Sequence, residues 1–272
     1  EAASTGKLSV TGYQDYNDAQ KILKEVNKYR KKNGRKALKM DRGLTNSAIM
    51  RGFETTIYIP ETSPHRRPNG KLSKSINKKI IYENCAQSAE TTPKQIVKGW
   101  INSSTHRKGL LLSNAKSVGV AAVTVVSRDG YEANTWVLDF SSSKAKKVEK
   151  SKARKQFTKN IVTKNSYLKK SYLKLDSRYG TIWETEKMQM KPTYQGKMMK
   201  EYGVYPTVIN ASSFTSWKSS NPSVASVDSN GRITGNKAGT ATISAKLKTG
   251  TKITISKKIK VVPMNQQIDP WE

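Results

Sequence analysis

Histidine and cysteine are the scarcest chemical groups in this 272-residue chain, with two of the first, His65 and His106, and one of the second, Cys85. A single cysteine excludes an internal disulfide, so packing must hold the domains together. A lone thiol inside an apolar run is ordinarily a small buried hydrophobe. Acids are also in deficit, 20 against 50 Lys and Arg, and the formal net charge is +30. A surface of that sign attracts polyanions, whether nucleic acid, an anionic cell wall, acidic glycans or a membrane face, and does not choose among them. No helix-turn-helix, zinc finger, RNA-recognition motif or aromatic stacking platform accompanies the charge, so nucleic acid is not the expected partner. No run approaches the roughly 18 apolar residues of a membrane-spanning helix. The opening Glu1-Ala2-Ala3-Ser4-Thr5-Gly6 has no Met and no apolar leader. That is expected of a mature form after signal removal, and equally of a trimmed chain.

What is present divides in two, as the length and a hydrophobic content of 35% suggest. Residues 1–16 carry no usable period and read as an N-terminal extension. From Asp18, Ile22, Val26 and Tyr29 form an i, i+4, i+7 stripe that ends at Lys31-Lys32-Asn33-Gly34, which predicts an amphipathic helix. Leu44, Ala48, Met50 or Arg51, and Phe53 predict a second helix carrying Glu54, stopped by Pro60 and Pro64. Leu72 to Ile81 reads as a weak helix. Thr92-Pro93 caps a further helix through Trp100, and Ser103 or Ser104 opens a turn containing His106. Two apolar runs, Val118–Val126 and Ala133–Phe140, flank Arg128-Asp129-Gly130, and Asp-Gly between such runs predicts a hairpin. Helices followed by a hairpin make an α+β unit over residues 17–142. Residues 144–174 then hold twelve Lys or Arg against Glu149 alone. The expectation over 143–172 is a basic linker, either a solvated spacer or an anion-gripping tether. After Leu173 no helical period returns, and short alternating runs with turns such as Ser229-Asn230-Gly231 predict a β-sandwich over 173–263, followed by a tail at 264–272.

The first unit resembles the CAP superfamily, also called SCP, which includes the cysteine-rich secretory proteins. The likeness runs in order through Asn27-Lys28-Tyr29-Arg30, Leu44 to Glu54, His65-Arg66-Arg67-Pro68-Asn69-Gly70, Glu83-Asn84-Cys85-Ala86, Trp100-Ile101-Asn102-Ser103-Ser104-Thr105-His106-Arg107 and Trp136 to Phe140. The resemblance implies an α-β-α sandwich whose cleft collects His65, His106, Glu83 and Glu54. Cys85 stands where the family has isoleucine, a change expected to alter packing rather than chemistry. Ser103 occupies the place of a eukaryotic glutamate, which directs attention to Glu54 as the second carboxylate. The second unit is similar to the group 2 bacterial immunoglobulin-like domain through Trp217 to Asp228, Asn230 to Thr234 and Ala238 to Ile243. Such domains are typical of extracellular and cell-surface bacterial proteins, so the expected setting is secreted, in contact with the cell wall.

The spacing of His65 and His106 is far from the i, i+4 of one helical face, so only the fold can bring them together. The expectation is a ligand- or partner-binding cleft. His65 and His106 would hold a divalent metal, zinc being the natural candidate, while Glu83 and Glu54 orient the rings. Such a site empties as pH falls through the histidine range. The alternatives are a hydrogen-bonded His/Glu network that binds nothing, and a metal-dependent hydrolase or protease with Glu83 as general base or Ser103 activated by His106. No nucleophile elbow or zincin motif supports hydrolysis. The expected partners are an anionic cell-wall polymer or a host glycan or protein, with a small hydrophobic ligand as a further candidate.

Overall fold

A strand with an unbroken apolar run needs cover on both faces, and residues 118–123 receive it from helices. The computed structural model describes residues 4–57, 63, 65–88, 91–128, 130–176 and 180–268. Pro60 and Pro64, expected to stop the second helix, and Asp129 of the expected Asp-Gly turn lie outside the described residues. The chain divides into two units, residues 11–159 and residues 160–272 together with 1–10, the division falling after Val10 and after Lys159.

The first unit is built from α1 (Tyr16–Lys32), β2 (Lys39–Met40), α2 (Arg42–Ile57), β3 (Ile80–Ser88), α3 (Pro93–Asn102), α4 (Ser104–Leu110), β4 (Ser117–Val126) and β5 (Glu132–Ser141), with β1 (Thr5–Asp15) from Thr11 on and β6 (Arg154–Lys164) as far as Lys159. Its sheet runs β3-β5-β4-β1-β6, with β2 also on β4. Alternation sorts the central strands. Val118, Val120 and Ala122 of β4 and Trp136, Leu138 and Phe140 of β5 bury against Ile22 and Val26 of α1 and against Val97 and Trp100 of α3. The opposite face of β4 meets α2 so closely that a Cβ on Gly52 would lie 2.8 Å from Val123 Cγ2. The result is α+β, two helical layers on one sheet.

Local chemistry sets the ends. Asp15, not Asp18, caps α1, its carboxylate accepting from the Asp18 N–H at 2.9 Å. Thr92 and Gln95 form a reciprocal capping box at α3, with Pro93 in its first turn. Buried Arg30 donates to the carbonyls of Leu110 (2.7 Å) and Leu112 (3.1 Å), so a cation stabilises the end of α4.

Three stretches differ from expectation. The expected extension at 1–16 contains β1, which pairs with β4. Within the expected weak helix only Ser73–Ile76 turns, as a 3-10 segment, and Ile80 already begins β3. The expected basic linker contains β6, at the sheet's edge. There Ile161 and Thr163 turn inward while Lys and Arg stand out, as an edge strand that avoids stray pairing requires. Its cations lie over rings, Arg154 at 4.5 Å from the Tyr13 centroid and Lys155 at 5.7 Å from that of Tyr16.

The second unit is an immunoglobulin-like array of β7 (Leu173–Asp176), β8 (Thr181–Trp183), β9 (Lys187–Gln189), β10 (Lys191–Tyr194), α5 (Lys197–Glu201), β11 (Thr207–Val208), β12 (Phe214–Ser219), β13 (Ala225–Val227), β14 (Arg232–Gly235), β15 (Gly239–Leu247) and β16 (Thr254–Val262). Sheets β12-β15-β16-β8 and β13-β14-β9 contribute Ile182, Ile233, Ile243 and Ile259 to the buried apolar residues, and sheet β11-β10-β7 contributes Leu173, Leu175 and Tyr194. Gly231 at φ +75° supplies the left-handed residue of the Ser229-Asn230-Gly231 turn. The short α5 is a helix that the sequence pattern did not predict.

Candidate functional site

Four elements of the first unit converge on one buried carboxylate, Glu83. It stands on β3 with Cys85 two residues on, and the period of two puts both side chains on one face. Asp139 lies directly opposite Glu83 on β5. On α2, Arg51 and Glu54 share a face at i, i+3. The fourth contribution is the turn after α2. There Arg67 N–H donates to the Lys71 carbonyl and Ser73 N–H to the His65 carbonyl, both at 2.8 Å, and Gly70 takes φ +85°.

Glu83 accepts from Arg51 Nε at 2.9 Å and from its Nη2 at 3.2 Å, and its Oε1 also meets His65 Nδ1 at 2.9 Å and Cys85 Sγ at 3.0 Å. The same Arg51 donates through Nη1 to Glu54 at 2.8 Å, and Arg67 closes the chain with Nη2 to Glu54 at 2.7 Å. Both Arg51 and Glu54 are fully buried. Burial alone would raise the Glu83 carboxyl, but the His65 hydrogen bond and the Arg51 charge outweigh it and hold Glu83 well below the ordinary carboxylate range. Burial would likewise lower Arg51, and Glu83 instead secures its proton. Burial, then the Glu83 charge, push the Cys85 thiol up, so it stays a neutral donor. The same two causes push Asp139 well up and keep it protonated.

His106 sits at the start of α4, where Ser103 is the N-cap residue. The Ser103 hydroxyl makes no cap bond and meets His106 Nδ1 at 2.9 Å instead. Asn84 Nδ2 donates to the His106 carbonyl and the Tyr82 hydroxyl to that of Thr105, both at 2.9 Å, which ties α4 to β3. Burial, then the charge of His65, lower the proton affinity of His106. A cleft of about 280 Å³ opens beside these groups, lined by His65, Leu72, Ile80, Tyr82, Glu83 and Thr105 among others.

Of the four residues expected in the cleft, His65 and Glu83 touch, and His106 lies within electrostatic reach of His65. Glu54 is placed differently. Its carboxylate is consumed by Arg51 and Arg67 beneath the cleft, so it reaches Glu83 only through a guanidinium. Cys85 also differs, because its thiol donates to Glu83 where only a packing change was expected. Sequence reasoning passed over Arg51, Arg67 and Asp139. Arg51 falls three residues before Glu54 on a helix, and Asp139 is a lone acid in an apolar strand, and either signal could have marked them.

The donor set fits a divalent metal. Ligating imidazoles characteristically hand their second nitrogen to an oxygen acceptor, and here Glu83 and Ser103 engage the two Nδ1 atoms. The ionised Glu83 carboxylate can only accept, which leaves Nε2 of His65 as its lone-pair nitrogen, whereas the Ser103 hydroxyl pairs with either tautomer of His106. Zinc accepts such a pair and, when bound, polarises a water or a ligand oxygen.

The fold and this site define a helix-covered α+β head carrying a His/Glu cleft, accompanied by an immunoglobulin-like domain. Residues 23–140 match the family model of the cysteine-rich secretory protein family (CAP), and residues 189–258 that of the bacterial Ig-like domain, group 2. The chain therefore carries a CAP domain followed by a bacterial Ig-like domain. Among curated relatives it is similar to the protein YkwD of Bacillus subtilis (strain 168), 33% identical over 119 residues, which cover 42% of this chain and 44% of that protein. The chain thus spans less than half the length of that relative. Among solved structures it is similar to an extracellular SCP-domain protein of Bacillus anthracis str. Ames (19% identity, 46% of this chain and 41% of that one, TM-score 0.35). It is also similar to an outer surface protein of Borrelia burgdorferi (17% identity, 48% and 98%, TM-score 0.36). Among the described residues no helix is long and apolar enough to cross a membrane.

Proposed function

We propose that the head is a binding module that takes a divalent cation, zinc by preference, or a ligand coordinated through it, at Nε2 of His65 and His106. The observation that carries this is the engagement of both Nδ1 atoms by oxygens at 2.9 Å, beside an open cleft. Glu83 holds the His65 ring in one tautomer, and Arg51 holds Glu83. The test is calorimetric titration of the chain with zinc. Heat is expected from the wild type and a smaller heat from His106→Ala, and a heat unaltered by that substitution sinks the reading.

The setting we propose is outside the cell, with the basic surface gripping an anionic wall polymer or host glycan. The net charge of +30 supports this. Retention on an anionic wall polymer is then steeply lost as salt rises, because exposed charges are screened within about 8 Å at physiological ionic strength. Retention insensitive to salt contradicts it. The competing hydrolytic reading draws on the Ser103–His106 contact. Against it, Glu83 accepts from Arg51, His65 and Cys85 at once and is a weak base, so binding is the reading adopted.

A further inference from the structure

Three polar atoms meet on the inner side of the His65 ring, where the cleft reading leaves them unused as ligands. Cys85 Sγ lies 3.0 Å from Glu83 Oε1, His65 Nδ1 lies 2.9 Å from the same oxygen, and Sγ and Nδ1 are 3.9 Å apart. A zinc ion makes bonds of about 2.3 Å to sulfur and about 2.0–2.2 Å to nitrogen and oxygen. One ion can span a triangle with those edges.

A second observation points to the same place. Asp139, opposite Glu83 in the β3–β5 register, is fully buried, and its carboxyl oxygens have the Glu83 carboxylate, itself an acceptor, as their polar neighbour rather than an N–H or amide donor. Residues directly opposite on an antiparallel pair share a face with Cβ atoms about 4.5–5.5 Å apart, so this carboxyl is aimed at Glu83 and its neighbour Cys85. Two carboxyl groups brought together in an interior need a proton or a cation between them. Arg51 and Arg67 already balance Glu83 and Glu54. Asp139 and Cys85 are then left as two acids, and one divalent ion matches the charge they would carry after giving up their protons.

We infer that Cys85 Sγ, His65 Nδ1 and Glu83 Oε1 form a thiolate-containing site for a thiophilic divalent cation, with Asp139 as its fourth group and third anion. The site is distinct from the cleft site and competes with it for the one lone pair of a neutral His65 ring, since it takes Nδ1 where the cleft reading takes Nε2, and it does not use His106. A soft sulfur ligand selects zinc or its cobalt and cadmium substitutes over magnesium and calcium.

The experiment is titration of the reduced full chain with cobalt(II), following the near-ultraviolet charge-transfer band that only thiolate ligation produces. The band is expected in the wild type, absent in Cys85→Ser and retained in His106→Ala. In Asp139→Asn the cobalt affinity is expected to fall about tenfold or more. Wild-type protein that shows no such band, or a band that persists in Cys85→Ser, overturns the site. Far-ultraviolet circular dichroism checks that the variants fold. Should Cys85→Ser not fold, cadmium NMR on the wild-type chain reads the sulfur ligand directly, and a resonance without the downfield shift of thiolate ligation overturns the site equally. A zinc heat reduced but not abolished in His106→Ala, with the cobalt band intact, separates this inference from the cleft reading.

Discussion

The two units of the chain handle polarity in opposite ways. The head buries Arg51, Glu54, Glu83 and Asp139 together, while the apolar interior of the immunoglobulin-like unit includes isoleucines such as Ile182, Ile233, Ile243 and Ile259. Alternating strands and good turns suffice for the second. The first must satisfy every buried charge with another, because a charge stranded in a low-dielectric interior costs several kcal/mol. The comparison teaches that the head's ionic cluster is retained for what it positions rather than for stability, since a well-packed apolar replacement is often as stable.

The largest expected effect tests that asymmetry. Arg51→Met leaves Glu83 without its guanidinium partner and Glu54 with Arg67 alone, and it should destabilise the head by roughly 3–5 kcal/mol. Hydrogen exchange read by mass spectrometry is the measurement. Protection should collapse in peptides from α2 and β3, while β15 and β16 stay as they were. Equal loss in both sets would break the comparison.

A smaller effect, of opposite sign, sharpens it. Asp139 has its pKa raised in the folded state, so the fold holds a proton that the unfolded chain releases, and the resulting penalty grows as pH rises above the ordinary value of 3.8. Glu83 is depressed. Its stabilisation is complete above the ordinary value of 4.5 and is lost as pH falls below it. Asp139→Asn should therefore gain about 1–3 kcal/mol near neutral pH, the order of one unsatisfied buried polar group, and the gain should shrink toward zero in acid. Urea denaturation at a series of pH values follows it. A loss at neutral pH would mean that Asp139 is ionised and paired.

Much of this was legible in the chain. The stripe of Ile22, Val26 and Tyr29, the Thr92-Pro93 cap and the paired apolar runs ending at Val126 and Phe140 are local signals, and each became the element it predicted. β1 and β6 escaped because their partners are distant in sequence, and because a strand crowded with Lys and Arg reads as a solvated linker until a sheet edge is there to receive it. β3 escaped for a related reason, since its polar face, Glu83 and Cys85, turns toward the site rather than toward water. Of the candidate site, ordered motifs marked His65, Glu83 and His106, whereas Arg51, Arg67 and Asp139 lay inside those motifs with no signal of which charges they would meet.

By itself the sequence determined two units, their order, the Thr92-Pro93 helix cap and the identity of the scarce imidazoles, because those follow from local periodicity, capping chemistry and composition. Only the tertiary structure decided that Arg51 would stand between two carboxylates, that Glu54 would lie beneath the cleft rather than in it, and that Cys85 would meet His65. Those are long-range juxtapositions, and the protonation of a buried group depends on the charges that folding places against it.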